Sequence, residues 1–165
     1  MATNVSISEL TEVHWEDIKR IYRQGIETGI ATFETEIPEW DEWHKKYHAN
    51  CRFVAKSTDT IVGFAVLSKV SNREVYKGVA EVSIYIDADY RRQGVGKTLL
   101  SHLVQSSEAE GIWTLQAGIF TENKASIALH EQCGFRIVGV RERIGKLNNQ
   151  WFDNCLMERR SQKLN

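Results

Sequence analysis

The feature that most constrains this chain is a strand that runs directly into a glycine-containing turn, which opens an amphipathic helix. Alternating apolar residues over 79–86 predict the strand. The turn follows in residues 87–96, and the helical spacing of apolar residues begins at Val95. Such a turn presents backbone N–H groups at the positive end of a helix dipole, so it can hold a pyrophosphate.

Three interpretations of this loop differ in where glycine must stand. A Walker A loop needs glycine at the position of Arg91, and a dinucleotide-binding fingerprint needs it at the position of Leu99, so both patterns fail. The third pattern, Arg-x-x-Gly-x-Gly, is met by Arg91, Gly94 and Gly96. A plain glycine turn with solvated arginines is the alternative.

Size and charge exclude several classes of protein. The chain has 165 residues, which suits a single domain over residues 1–165. Its 21 basic and 22 acidic residues give a net charge of −1, so no basic excess predicts nucleic-acid binding. The longest apolar run, residues 61–67, is far shorter than the roughly 20 residues of a membrane helix. We therefore expect no nucleic-acid partner and no membrane partner.

Cysteine and histidine spacing predicts neither a disulfide framework nor a metal site. The three cysteines are odd in number and widely spaced, which favours reduced thiols and a cytoplasmic protein. His44 and His48 have the spacing of two helical zinc ligands, but Lys45 stands where a zinc protease needs glutamate. We therefore expect no metal.

Helical and strand-like periods alternate along the rest of the chain. The expected strands lie near 5–7 and at 52–56, 60–68, 79–86, 114–119, 135–144 and 151–157. The expected helices are one that ends near Gly29, one from Pro38 to about Asn50, one from Val95 to before Gly111, and one from Lys124 to Cys133 between Asn123 as N-cap and Gly134. This order predicts an α/β fold in which one mixed, mostly antiparallel sheet carries helices on both faces.

Six ordered blocks of sequence give the chain a wider resemblance. They are Thr32-Phe33-Glu34 before Pro38 and Trp40, Tyr76 with residues 80–86, the glycine loop, Asn123 with Ser126, Leu129-His130-Glu131 before Gly134-Phe135, and Gly145 before Trp151-Phe152-Asp153. From Ile18 to Met157 the chain resembles the GCN5-related N-acetyltransferase (GNAT) superfamily, in its phosphinothricin and methionine sulfoximine acetyltransferase branch. The resemblance implies a GNAT fold, acetyl-CoA as co-substrate, a homodimer, and acetylation of the amino group of a small amino-acid analogue.

The same resemblance implies which residues hold acetyl-CoA. The backbone of Ile84, Tyr85 and Ile86 would pair with pantetheine as an extra strand does. Asn123 would hold the pantetheine arm, and Ser126 would assist from the next helical turn. The loop would wrap the pyrophosphate, and its residues are Arg91, Arg92, Gln93, Gly94, Val95, Gly96 and Lys97.

Acetyl transfer from a thioester to an amine needs a proton acceptor and a proton donor. By resemblance Glu81 is the general base; the alternative is a rim carboxylate paired with Lys77 or Arg73. His130 lies seven residues after Asn123, about 10.5 Å along one helix face, so both side chains can face one cleft. Its imidazole suits proton acceptance, or donation to the departing thiolate, and the alternative is a histidine packed beside the end of its helix.

For the acceptor, Arg73 is the expected partner of an α-carboxylate, because it precedes Tyr76 in a predicted cleft loop. Phe33 and Glu34 would line the acceptor pocket by resemblance, whereas a core position is the alternative for Phe33. No cysteine stands in the shared blocks to carry an acetyl group, so we expect direct transfer.

Other acceptors and a second class of function stay open. Asp87 and Asp89 beside the loop allow a polyamine acceptor, and a protein N-terminus is a further amine. A CoA-binding sensor would bind acetyl-CoA yet release no thiol. Residues 72–75 depart from the family pattern, which leaves the exact substrate open. Trp151 and Asp153 are candidates for a dimer edge.

Overall fold

A computed structural model describes residues 2–165 as one mixed sheet flanked by helices. The strands are β1 (Ser6–Glu9), β2 (Phe53–Ser57), β3 (Thr60–Lys69), β4 (Val79–Ile86), β5 (Thr114–Phe120), β6 (Arg136–Leu147) and β7 (Gln150–Arg160). The helices are α1 (Trp15–Glu27), α2 (Trp40–Trp43), α3 (Val95–Ala109) and α4 (Lys124–Gln132). The sheet order is β1-β2-β3-β4-β5-β7-β6, and every neighbouring pair is antiparallel except β4 and β5. The predicted fold class is confirmed.

Two apolar clusters lie on opposite faces of this sheet. Helix α3 packs on one face, where Leu99 and Leu103 join Val82 of β4 in a buried cluster. Helix α1 packs on the other face, where Ile18 is fully buried and Tyr85 of β4 packs beside that cluster. Successive residues of a strand point to opposite faces, so the alternation along β4 supplies both cores.

The ends of α4 form as the sequence predicts. The Asn123 side-chain oxygen accepts a hydrogen bond from the Ser126 backbone N–H at 3.2 Å, which caps the helix. Gly134 follows the helix with φ of +88°, a left-handed conformation that glycine adopts without steric cost. The helix is therefore held at both ends by local hydrogen bonding and backbone geometry.

The second predicted helix is wrong in its length. Instead of running from Pro38 to about Asn50, it spans only Trp40–Trp43 and continues into a single 3₁₀ turn, His44–Lys46. The chain then leaves the helix because Tyr47 forms an isolated bridge with Ser68. The Arg52 guanidinium fixes this departure by donating hydrogen bonds to three backbone carbonyls of residues 44, 47 and 48.

The three cysteines are free thiols. Within residues 2–165, no helix is both long and apolar enough to cross a membrane.

Candidate active site

The sheet opens between its two parallel strands. Strands β4 and β5 pair only at Val79 with Thr114, Ala80 with Leu115, and Glu81 with Gln116. Beyond that point β4 continues beside β3 and β5 continues beside β7. One edge of β4 therefore keeps backbone N–H and C=O groups without a strand partner.

A cavity of about 480 Å³ occupies this opening. Its lining includes Ile84 and Ala117, which face the α3 side of the sheet, and Tyr85, which faces the α1 side. Because the lining draws on both faces, the cavity crosses the sheet. Two reactants can therefore approach each other from opposite sides.

Glu81 lies on β4 at the closed end of the opening and lines the cavity. The Gln116 side-chain amide donates a hydrogen bond to Glu81 Oε2 at 2.7 Å. Lys77 instead pairs with Glu74 at 2.8 Å, and the Arg73 guanidinium lies 5.3 Å from the Tyr76 ring centroid. The alternative of a carboxylate paired with Lys77 or Arg73 is therefore absent, and Gln116 orients Glu81 in the cleft.

His130 reaches the cleft from α4 and is only 2% exposed. Its Nδ1 lies 2.7 Å from the Ser126 backbone carbonyl oxygen. A carbonyl oxygen can only accept, so Nδ1 carries the proton and Nε2 presents a lone pair. Nε2 has no hydrogen-bond partner among residues 2–165. Burial lowers the pKa of His130, which favours the neutral ring at physiological pH.

The alternative interpretation of His130 as a packed helix residue describes only one side of its ring. The ring meets Phe135 edge to face with centroids 5.0 Å apart. Phe135 belongs to the α3-side core, so this contact fixes the ring orientation. His130 therefore packs on the core with one side of its ring and still lines the cavity.

Asn123 and Ser126 line the cleft beside His130. The Asn123 oxygen is used in capping α4, whereas its NH₂ group makes no hydrogen bond within the described chain. That amide is available to a ligand that carries carbonyl groups.

The predicted glycine loop lies at the start of α3. Arg92 and Gly94 have φ of +60° and +84°, so the backbone turns sharply before the helix. The first helical hydrogen bond runs from Thr98 N to Gly94 O at 3.1 Å. The amides of residues 95–97 precede it and are free to bind an anion.

Side chains reinforce this loop. The Gln93 amide donates to the Asp89 carbonyl at 2.8 Å, which braces the turn. Arg91, Arg92 and Lys97 are exposed and make no salt bridge among residues 2–165. A Cβ on Gly96 would lie 3.1 Å from Leu129, so glycine lets α3 approach α4 closely. The loop is therefore a preformed cationic turn.

Within β4, Ile84 and Tyr85 line the cavity and Ile86 follows at the end of the strand. The Tyr85 ring packs edge to face on Tyr22, with centroids 5.0 Å apart, and burial raises the pKa of its hydroxyl. The Tyr85 side chain thus belongs to the α1-side packing, and the open strand edge offers backbone groups.

Phe33 and Glu34 line the cleft on the segment after α1. The Phe33 ring lies 4.4 Å from the Phe120 ring centroid. A Cβ on Gly145 would lie only 2.6 Å from the Phe33 ring, so glycine on β6 makes room for it. Phe33 is therefore a half-buried residue in the wall of the cleft and not a core residue.

The structure does not bring Arg73 and Tyr76 into the cleft. Neither residue lines the cavity, and Tyr76 is 44% exposed. Trp151 is 54% exposed on β7, and the Asp153 carboxylate accepts a hydrogen bond from the Arg143 backbone N–H at 2.8 Å. These four residues lie apart from Glu81 and His130.

Polar residues of the site were missed in the sequence, among them Tyr47 and three that form hydrogen bonds there. Gln116 could have been found, because alternation along β5 puts it on the same face as Glu81. Arg141 on β6 and Asn154 on β7 depend on strand register: the Arg141 guanidinium donates to Asn154 Oδ1 at 2.6 Å. Both line the cleft.

Residues 14–135 match the acetyltransferase (GNAT) family. The chain belongs to this family. It is 35% identical to phosphinothricin N-acetyltransferase of Alcaligenes faecalis over 153 residues, which cover 86% of this chain and 75% of that protein. It is 33% identical to L-methionine sulfoximine/L-methionine sulfone acetyltransferase of Pseudomonas aeruginosa over 98 residues, 59% of this chain and 57% of that protein.

A solved structure supports the same assignment. The GNAT superfamily phosphinothricin acetyltransferase of Sinorhizobium meliloti, crystallised in complex with AcCoA, superposes with a TM-score of 0.87 at 30% identity. The match covers 97% of this chain and 90% of that chain. The fold is the GNAT fold, the chain is an N-acetyltransferase, and the expected membership of the phosphinothricin and methionine sulfoximine branch is confirmed.

Proposed function

We propose that this GNAT-family enzyme transfers the acetyl group of acetyl-CoA to the amino group of a small amino-acid analogue such as phosphinothricin, methionine sulfoximine or methionine sulfone. The observation that carries the proposal is the cavity that crosses the sheet, with Glu81 on its wall and His130 entering from α4. The relatives that act on these acceptors support the choice of substrate class.

Acetyl-CoA would supply an activated thioester, and this chain has fitting groups for each of its parts. The free edge of β4 at Ile84 and Tyr85 suits the amides of pantetheine. The unbonded NH₂ group of Asn123 is a further donor to that arm. The cationic turn at residues 91–97 suits a pyrophosphate.

Glu81 and His130 divide the proton transfers. A free amine arrives at neutral pH mainly as an ammonium ion, and the Glu81 carboxylate removes one proton to expose the nitrogen lone pair. The C–N bond forms while the C–S bond breaks. His130 Nε2 accepts a second proton from the nitrogen, and the imidazolium returns it to the thiolate sulfur. Glu81 releases the first proton to solvent, so the products are the acetylated amine, the free thiol of CoA and one proton.

His130 begins this cycle as a proton acceptor. Its neutral ring has committed Nδ1–H to the Ser126 carbonyl, so it has no second N–H to give. Proton donation to the thiolate therefore follows proton uptake from the amine and is not an independent first step.

A polyamine acceptor fits this cleft poorly. Asp87 is buried, contacts the Arg20 guanidinium, and accepts a hydrogen bond from the Asp89 backbone N–H at 3.0 Å. Its carboxylate is thus engaged in the fold. The cleft is lined by the cation of Arg141 as well as by the acids Glu34 and Glu81, so it is not the uniformly acidic pocket that a polycation favours.

We also propose a cytoplasmic homodimer. Five large apolar side chains are exposed on the last two strands: Ile137, Val138, Val140, Ile144 and Trp151. A second copy of the chain is the occupant that the family resemblance favours for this patch. Sedimentation should give twice the chain mass, and a monomer at micromolar concentration would reject the dimer.

The proposed reaction is tested by free-thiol release from acetyl-CoA with phosphinothricin, methionine sulfoximine, methionine sulfone, spermidine and a short peptide. Release with the first three supports the proposal. Thiol release with spermidine or the peptide alone would show that the acceptor is a polyamine or a peptide and not an amino-acid analogue. Binding of acetyl-CoA without thiol release from any acceptor would favour the sensor.

A further inference from the structure

Among the side chains of residues 2–165 that line the cleft, Arg141 is the one cation, because His130 is neutral. The acids of the same lining are Glu34 and Glu81. An amino acid carries a cationic nitrogen and an anionic carboxylate on one carbon. The cleft thus has charges of both signs for a ligand that carries both.

The guanidinium of Arg141 is held in place by Asn154. Its Nη2 donates to Asn154 Oδ1 at 2.6 Å, and Asn154 is only 6% exposed. This is the only hydrogen bond that the Arg141 side chain makes among residues 2–165, and it makes no ion pair there. Most of its N–H donors stay available for an anion, and a guanidinium binds a carboxylate with two parallel hydrogen bonds.

Gly118 sets where this cation lies. A Cβ at Gly118 would come within 3.0 Å of Asn154 Oδ1 and 3.3 Å of Arg141 Nη2, so the guanidinium lies directly over a strand position without a side chain. Gly118 stands two residues beyond Gln116, which binds Glu81. Two residues along a strand span about 6.6 Å. The strand positions beside the carboxylate and beneath the cation are therefore about 6.6 Å apart, a span that a small amino acid can bridge.

We propose that Arg141, positioned by Asn154 over Gly118, binds the carboxylate of the acceptor and so selects amino acids over simple amines. This rests on the proposed function, because it names how the acceptor is held. It replaces Arg73, which lies outside the cleft, as the carboxylate partner. The carboxylate at Arg141 would direct the amino group toward Glu81 and the opening in the sheet.

The test compares methionine sulfone with its carboxamide, which lacks the anionic group, in the wild type and in Arg141→Gln, Arg141→Lys and Arg136→Gln. Arg136 lies on the same strand, pairs with Glu158 outside the cleft, and controls for the lost charge. We expect Arg141→Gln to raise the KM for methionine sulfone about 10- to 100-fold, with the carboxamide and the KM for acetyl-CoA little changed. Arg141→Lys should recover part of the loss, and Arg136→Gln should match the wild type.

Calorimetric titration of methionine sulfone into CoA-saturated protein separates this inference from the proposed function. Binding that depends on Arg141 without turnover would support the inference and reject the proposed reaction. If Arg141→Gln acetylates methionine sulfone as well as the wild type does, the inference is overturned and the proposed reaction stands. The same holds if Arg141→Gln loses activity equally with methionine sulfone and with its carboxamide. Absence of methionine sulfone binding to the wild type would overturn the inference.

Discussion

The surroundings of His130 set the protonation state of its ring, on which its proposed role as a proton acceptor depends. Burial removes the ring from water, and the Ser126 carbonyl fixes the proton on Nδ1. Both effects favour a neutral base with its lone pair at Nε2. The sequence predicts the position of His130 on the helix face, but the direction of proton transfer depends on a hydrogen bond that only the folded helix contains.

We expect the activity of the wild type to fall at acid pH with a midpoint below the ordinary histidine pKa of about 6.5, because burial lowers the pKa of His130. His130→Gln should lower kcat by about 10²- to 10⁴-fold. The measurement is the pH dependence of kcat, together with acetyl-CoA affinity by calorimetry, which should stay close to the wild type.

His102→Gln is the control for this variant, because His102 lies on α3, packs on Phe53 and does not line the cleft. Its pH profile should match that of the wild type. A His130→Gln enzyme with wild-type kcat would remove His130 from the mechanism.

At the scale of elements, the sequence predicts best where the signals are local. Helix α4 is predicted to have its N-cap at Asn123 and a left-handed glycine at Gly134, and the structure contains both. The prediction of the second helix fails because its end is set by contacts from outside the helix, the bridge of Tyr47 with Ser68 and the hydrogen bonds from Arg52. These contacts override the local signals that predict a helix from Pro38 to about Asn50.

Asn123 serves α4 and the cleft through different atoms, and two variants separate them. Asn123→Ala removes the cap and should destabilise the protein by about 1 kcal/mol in urea unfolding. Asn123→Ser keeps a capping oxygen, so it should regain most of that stability yet lack the amide donor. Both variants should bind acetyl-CoA more weakly; wild-type affinity in Asn123→Ser would contradict a role of the amide.

The loop before α3 depends on the left-handed backbone of Gly94. Gly94→Ala should cost about 1–2 kcal/mol of backbone strain and weaken acetyl-CoA binding. Gly111→Ala is the matched control, because Gly111 has φ of +79°, lies after α3 and has open space around its Cβ position. Calorimetry with acetyl-CoA should separate the two, and an equal loss of affinity in both would reject the loop as the binding site.

At the scale of the whole molecule, the sheet and its opening follow from sequence patterns, whereas the acceptor side of the cleft does not. Alternation and the shared blocks identify Glu81, His130 and the glycine loop. The Arg141–Asn154 pair depends on the register of β6 with β7, which shifts at irregularities on both sides of Arg141. Because one shifted residue turns a side chain to the other face, this pair could not be read from spacing.

Helix α1 is attached to the end of β4 by the ion pair of Arg20 with Asp87. Burial alone would raise the pKa of Asp87, but hydrogen bonds from Arg20 and the Asp89 N–H lower it below its usual value. Its contribution to stability is thus present above the unfolded carboxyl pKa and is lost as the pH falls.

Arg20→Met would leave the buried carboxylate of Asp87 without its partner. Since Arg20 itself is 40% exposed, we expect a loss of roughly 2 kcal/mol at neutral pH, less than for a fully buried pair. Lys19→Met is the control, because the ion pair of Lys19 is with the exposed Glu16 and its ammonium lies 5.9 Å from the Trp15 ring centroid, and it should cost under about 0.5 kcal/mol. Equal midpoints of urea unfolding for the two variants would contradict this account of α1.

The most direct test of the central claim is kcat/KM for methionine sulfone against spermidine at saturating acetyl-CoA, with mass spectrometry of the products. We expect a clear preference for methionine sulfone, one acetyl group on its nitrogen, and one thiol released per acetyl group transferred. A preference for spermidine, or thiol release without an acetylated amino acid, would contradict the account.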